Sequence, residues 1–118
     1  LDLAPTLLHA AGCAPLPDSP GVNLLDEPSL SRRKALFGEI FTHNAVDIRK
    51  PSSSLRFRWS IAGDWKLIVP HQPNSPRSPV ELYDLEADPF ETRNLASREP
   101  AKVEELRRGL DAWWNAED

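Results

Sequence analysis

An α+β fold is predicted by three features of the sequence. A period-two alternation runs from Leu55 to Ile61, breaks at Gly63-Asp64 and resumes over Trp65 to Val69, the pattern of a hairpin. A stripe at spacings of three and four, Val103, Leu106, Leu110 and Trp113, marks a terminal helix. A short opening segment, Asp2 to Gly12, has helix spacing and ends in glycine. The expected architecture is a small antiparallel sheet of about four strands, packed by the C-terminal helix and preceded by a short N-terminal one.

In the opening segment Asp2 is the expected N-cap, Pro5 is tolerated in the first turn, and Gly12 suits the residue just past the helix end. Leu3 and Leu7 share a face with Ala10 and Ala11. From Cys13 to Arg33 the chain carries Pro15, Pro17, Pro20, Gly21 and Pro28 and reads as an irregular connection. Lys34 to Phe41 reads as a strand, although its short apolar run is also compatible with a helix. Thr42 to Ser54 is polar and reads as a loop.

In the next strand Leu55, Phe57, Trp59 and Ile61 point one way, and Arg56, Arg58 and Ser60 the other. His71 to Pro79 is a Pro-rich loop, and Val80 to Leu85 a further strand. Pro100 falls in the first turn of the last helix, Trp114 widens its apolar stripe, and Arg107 and Arg108 lie toward solvent. Gly109 weakens that helix by about 1 kcal/mol relative to alanine, so packing must hold it. The division expected is 1–33 for the helix and Pro-rich link, and 34–118 for the α+β body.

The chain has 118 residues, the size of one domain, and its 40% hydrophobic and 27% charged composition is that of a globular protein. A net charge of -4, with basic residues interleaved among acids, argues against nucleic acid as a partner. No run is long and apolar enough for a membrane-spanning helix. The first residue is Leu1, there is no methionine, and Leu1 to Gly12 lacks the basic and apolar regions of a signal peptide. An excised or processed piece of a longer protein is expected. A lone cysteine, Cys13, gives no internal disulfide.

Four local signatures, in this order, resemble the C-terminal subdomain of type I, formylglycine-dependent sulfatases of the alkaline phosphatase superfamily. The first is Asp2-Leu3-Ala4-Pro5-Thr6-Leu7-Leu8 with Ala11-Gly12, followed by Gly21-Val22-Asn23-Leu24-Leu25. The second runs from Arg58 through Gly63-Asp64-Trp65-Lys66-Leu67-Ile68. The third is Glu81-Leu82-Tyr83-Asp84-Leu85 with Asp88-Pro89, Glu91 and Asn94-Leu95. The fourth is the closing helix ending in Trp113-Trp114. These pieces have physical readings of their own. Asp88-Pro89 presets a turn, Glu91 and Asn94 are expected to bond loop amides, and Tyr83 and Trp65 are expected to be half-buried with polar ends near solvent.

The resemblance implies that residues 1–33 leave a catalytic domain missing from this chain. It also implies that the parent uses calcium and a formylglycine made from Cys or Ser in a Cys/Ser-x-Pro-x-Arg motif. Cys13-Ala14-Pro15-Leu16-Pro17 imitates the first three positions but has proline where arginine belongs, so it is read as a decoy. No cofactor is expected in this chain. His9, His43 and His71 show no ligand spacing, and Asp84, Glu86 and Asp88 lack the pattern of a calcium loop. No catalytic or metal-binding residue is expected.

In whole sulfatases the loop after the first strand of this subdomain can line the cleft. His43, Asn44, Arg49 and Lys50 are therefore the candidate substrate-binding residues, a histidine beside an amide and two cations suiting an anionic or sulfated sugar. The ordinary alternative is a solvated loop. Two other functions stay open at this point, a free-standing interaction module and the tail of a phosphonate or phosphate ester hydrolase. A module would pack Leu3, Leu7 and Leu8 internally, whereas a fragment would leave them exposed and prone to self-association. The resemblance also implies a secreted or periplasmic parent.

Overall fold

The computed structural model describes Leu1–Asn115. Seven elements follow in chain order: α1 (Leu3–Ala10), α2 (Glu27–Arg32), β1 (Leu36–Phe41), β2 (Leu55–Ala62), β3 (Trp65–Pro70), β4 (Glu81–Asp84) and α3 (Pro100–Trp113). A single 3₁₀ turn, Pro51–Ser54, precedes β2. The four strands form one antiparallel sheet in the order β1-β2-β3-β4, and with its helices the chain is α+β, as predicted. It divides into two compact units, Leu1–Lys34 and the remainder from Ala35.

In the first unit α1 closes as its sequence dictates. Gly12 lies just past the helix end at φ 69°, a left-handed conformation that glycine adopts without steric cost. Asp2 does not cap the helix with its side chain. Its carboxylate instead accepts the Val22 amide (3.0 Å) and both Arg33 nitrogens (2.6 and 2.7 Å), while its carbonyl accepts the Thr6 hydroxyl. A remote cation and amide outcompete the local cap because a charge-assisted fork is the stronger interaction. The link from Cys13 to Arg33 is not wholly irregular, since α2 occupies its end with Pro28 in the first turn.

In the second unit the hairpin turns through Gly63 and Asp64, with Ala62 paired to Trp65 and Gly63 at φ 56°. A positive φ at the first of two turn residues matches the twist of the flanking strands. Leu67, Val69 and Leu82 meet Val103, Leu106 and Leu110 from α3, and Leu67, Leu82 and Leu110 are fully buried. Each such leucine contributes about 1.5–3 kcal/mol relative to exposure. Ser60 faces Leu67 across the ladder and Ala62 faces Trp65. The helix therefore covers the even-numbered row of β2, the one containing Arg58, Ser60 and Ala62.

Arg58 crosses beneath the helix end. Its guanidinium donates to the Asp111 carboxylate (2.9 Å) and to the Trp114 carbonyl. Phe37 stacks on Trp113 with ring centroids 5.4 Å apart, and Phe41 tilts against Trp114 at 6.2 Å. The terminal tryptophans thus close α3 over β1. The Phe57, Trp59 and Ile61 row lies on the opposite side of the sheet.

The outer edge of β4 is closed by the turn that follows it. Asn94 accepts the Leu82 amide (3.1 Å) and donates to the Val80 carbonyl (3.0 Å), and the Leu95 amide bonds to the Leu82 carbonyl (2.8 Å). Asp88 holds the turn by accepting from the Arg93 amide (2.8 Å) and the Thr92 hydroxyl (3.0 Å). Glu91, at φ 55°, does not bond a loop amide. It takes the Lys66 ammonium with both oxygens at 2.8 Å. The other edge of the sheet is β1.

Candidate functional site

The β1–β2 connection carries the residues singled out as a possible substrate contact. The loop leaves β1 at Thr42, whose amide donates to the Ser54 carbonyl (2.8 Å) and whose hydroxyl donates to the Asn44 carbonyl (2.9 Å). The Val46 amide reaches the Ser54 hydroxyl (2.7 Å), so Ser54, buried at the start of β2, ties both sides of the loop. Asp47 then accepts the Arg49 amide (2.8 Å), and the Lys50 carbonyl accepts the Ser53 hydroxyl (2.7 Å). Backbone and short polar side chains shape this loop and leave its long side chains outward.

His43, Asn44, Arg49 and Lys50 are all exposed. Among the described residues their side chains make no hydrogen bond or ion pair, so one loop presents them without assembling them around a common point. Asn74 braces the far end of the loop by donating to the carbonyls of Ser52, Ser53 and Leu55 at 3.0, 3.2 and 2.7 Å. That brace was not anticipated, because a single asparagine in a Pro-rich segment gives no sign of a contact some twenty residues away.

Concavities lie elsewhere, two of them well defined. One, of about 370 Å³ in the first unit, includes His9 and Cys13 in its lining. Cys13 is exposed, and its Sγ lies 3.8 Å from the Ala11 carbonyl. The other, of about 180 Å³, is lined by Ile40, Trp59, Ile61, Lys66 and Ile68 on the sheet face away from α3. The odd-numbered alternation of β2 was its sequence signal, yet which row the helix covers is a tertiary fact.

The described residues do not fit the calcium and formylglycine of the sulfatase reaction. No group of three His, Cys, Asp or Glu side chains among them could hold a metal ion. Cys13 sits after α1 with no carboxylate or cation bonded to it, and the acids after β4 are engaged in turns: Asp84 accepts the Glu86 and Ala87 amides at 3.1 Å.

No family model matches the chain, and no curated protein matches it. Solved structures do. A putative sulfatase from Bacteroides thetaiotaomicron superposes over 96% of this chain with a TM-score of 0.72 and 26% identity. A protein solved in complex with its substrate D-glucosamine-2-N,6-O-disulfate matches over 98% with a TM-score of 0.66, also at 26% identity. A phosphonate monoester hydrolase of Agrobacterium radiobacter shares the fold at 22% identity and a TM-score of 0.63 over 94%. The chain spans only 23–24% of the length of these structures. Near-complete coverage of this chain, with the signature turns and the Trp-tipped helix in place, gives it a fold that these sulfatase structures carry over about a quarter of their length, consistent with a sulfatase C-terminal subdomain.

Proposed function

We propose that this chain belongs to a larger sulfuric ester hydrolase acting on sulfated carbohydrate, is not catalytic alone, and shapes one wall of the substrate cleft. The observation that carries the reading is the pairing of near-total coverage of this chain with about a quarter coverage of its structural neighbours. Nucleophile, calcium ligands and most of the substrate contacts then belong to the rest of the protein. Leu3 and Leu7, 68% and 66% exposed on α1, support a piece of a larger body over a self-sufficient module. Self-association of the isolated chain through α1 follows from the same exposure.

Within that protein the β1–β2 loop offers His43, Asn44, Arg49 and Lys50 to an anionic sugar, with amide and imidazole for hydroxyls and the two cations for sulfate. One comparison tests the whole reading. Aryl sulfate and sulfated glucosamine are offered to the 118-residue chain, and to the protein extended by the polypeptide encoded ahead of Leu1, each coexpressed with the formylglycine-generating enzyme and supplied with calcium. Turnover is expected from the extended protein alone. His43→Ala in it should raise KM for the sulfated sugar about tenfold, with a smaller effect on kcat. Turnover by the short chain would end the non-catalytic reading. An unchanged KM would remove the loop from the cleft. The phosphonate monoester hydrolase fold supplies a second reading, and a preference of the extended protein for phosphonate or phosphate esters would establish it.

A further inference from the structure

We infer that the end of the sheet where the β1–β2 loop meets the β3–β4 loop binds a polyanionic glycan, with Arg56 and Arg77 as its added anion contacts. The antiparallel order brings both loops to that end, since β1 and β3 finish there and β2 and β4 begin there. The His71 amide donates to the Arg56 carbonyl (2.8 Å), carrying the β2–β3 ladder past Pro70 into the second loop. Asn74, from that loop, grips the Ser52, Ser53 and Leu55 carbonyls of the first. Two segments distant in sequence thus form one braced rim.

This rim is cationic in a chain whose net charge is -4. Residues 42–56 and 70–80 contain Arg49, Lys50, Arg56 and Arg77, with Asp47 as their one acid. Asp47 accepts the Arg49 amide, and Glu81, the next acid at this end, accepts the Tyr83 hydroxyl. The opposite end, formed by the β2–β3 turn and the residues after β4, carries Asp64, Asp84, Glu86 and Asp88. A fold polarised in this way steers polyanions to one end.

Arg56 and Arg77 are exposed and, among the described residues, pair with no carboxylate. Arg56 lies over the Phe57 ring at 5.6 Å, a contact that does not consume its N–H donors. Arg77 stands at the tip of a turn. The Ser78 amide donates to the Ser75 carbonyl (3.1 Å), Pro76 presets the corner, and Ser75 is buried. A guanidinium presented on such a turn suits a two-point grip on sulfate or carboxylate. Neither 42–56 nor 70–80 contains Phe, Trp or Tyr, so the rim lacks the stacking platforms that single-stranded nucleic acid uses. A sulfated glycan, with several anionic groups and no bases, is the ligand it fits.

The carbohydrate identity of the ligand rests on the proposed function, and the test separates the two. Calorimetry at low salt follows a hexasaccharide of sulfated glucosamine and uronate, and its desulfated counterpart, binding to the 118-residue chain. Arg56→Gln and Arg77→Gln should each raise Kd about three- to fivefold, and together about tenfold or more. Arg108→Gln, which removes an exposed cation on α3, should change it by less than about twofold. All variants should melt within about 2 °C of the parent, and the desulfated sugar should bind about tenfold more weakly. No saturation by the sulfated hexasaccharide, or equal losses in all three single variants, overturns the surface. So does a single-stranded oligonucleotide that binds as tightly through the same two arginines, since nucleic acid would then be the ligand. Turnover is measured separately on the protein extended ahead of Leu1. Turnover with binding unaltered in the double variant removes the surface alone, and arginine-dependent binding without turnover removes the proposed reaction alone.

Discussion

Tyr83 is the only tyrosine in the chain, which makes its environment directly readable. Its hydroxyl donates to Glu81, and that bond, reinforced by burial, pushes its pKa up to about 12. The folded state thus favours the protonated phenol. The stability this confers is complete below the ordinary pKa near 10 and is lost as pH rises from there through about 12. A tyrosinate absorbance titration of the folded chain should place its midpoint near 12, and Glu81→Gln should bring it down toward 10. A midpoint near 10 in the parent chain would show that the bond does not form. Residue roles were partly legible in the sequence. Asn94 bonds loop amides as its type suggests, because its partners lie within a turn or on the adjacent strand. Glu91 was misread because its partner, Lys66, is distant in sequence and close only once β3 and β4 pair.

Among the elements, the hairpin and α3 were legible because alternation and the helical stripe are local signals that packing then obeys. Two things were not. The six-residue α2 is too short and polar to show a period, so the Pro-rich composition around it dominated the reading. The choice of sheet face was hidden too, since the more apolar row of β2 lies away from α3 and the helix covers Ser60 and Ala62. The row is set by β3 and β4, where Leu67, Val69 and Leu82 share the helix side. The Asn94 turn is the element-scale device most open to test. Asn94→Ala strips the Leu82 amide of one acceptor and the Val80 carbonyl of a donor, and should destabilise the second unit by about 1–3 kcal/mol in urea unfolding. Asn94→Asp, which keeps the acceptor, should lose less. No change in either variant would mean that water replaces the amide at no cost.

On the scale of the whole molecule, the two compact units are held by different chemistry. The second has a buried core, whereas α1 and α2 of the first contribute no buried residue and Asp2 ties their ends together. The Arg33 guanidinium, then the Val22 amide, hold the Asp2 carboxyl well below the usual carboxylate range. A depressed pKa contributes stability that is complete above the ordinary aspartate value near 3.8 and is lost as pH falls through the folded one. The first unit should therefore keep its Asp2–Val22 contact at pH 3, where most aspartates have begun to protonate. An amide shift of Val22 that titrates near pH 4 would contradict this. The candidate loop was legible as a position and not as a site, since its four side chains are displayed without being gathered.

The unequal borders of the sheet have a directional consequence. On one flank a side-chain amide occupies the hydrogen-bonding groups that a neighbouring strand would need, and a turn covers them. On the other, among the described residues, the backbone of Leu36–Phe41 pairs only with β2. Any added ribbon, such as one from an aggregating neighbour, can extend this ladder from one side only. Misassembly would therefore join open edge to open edge and stop at two copies, and a proline in that strand would arrest it.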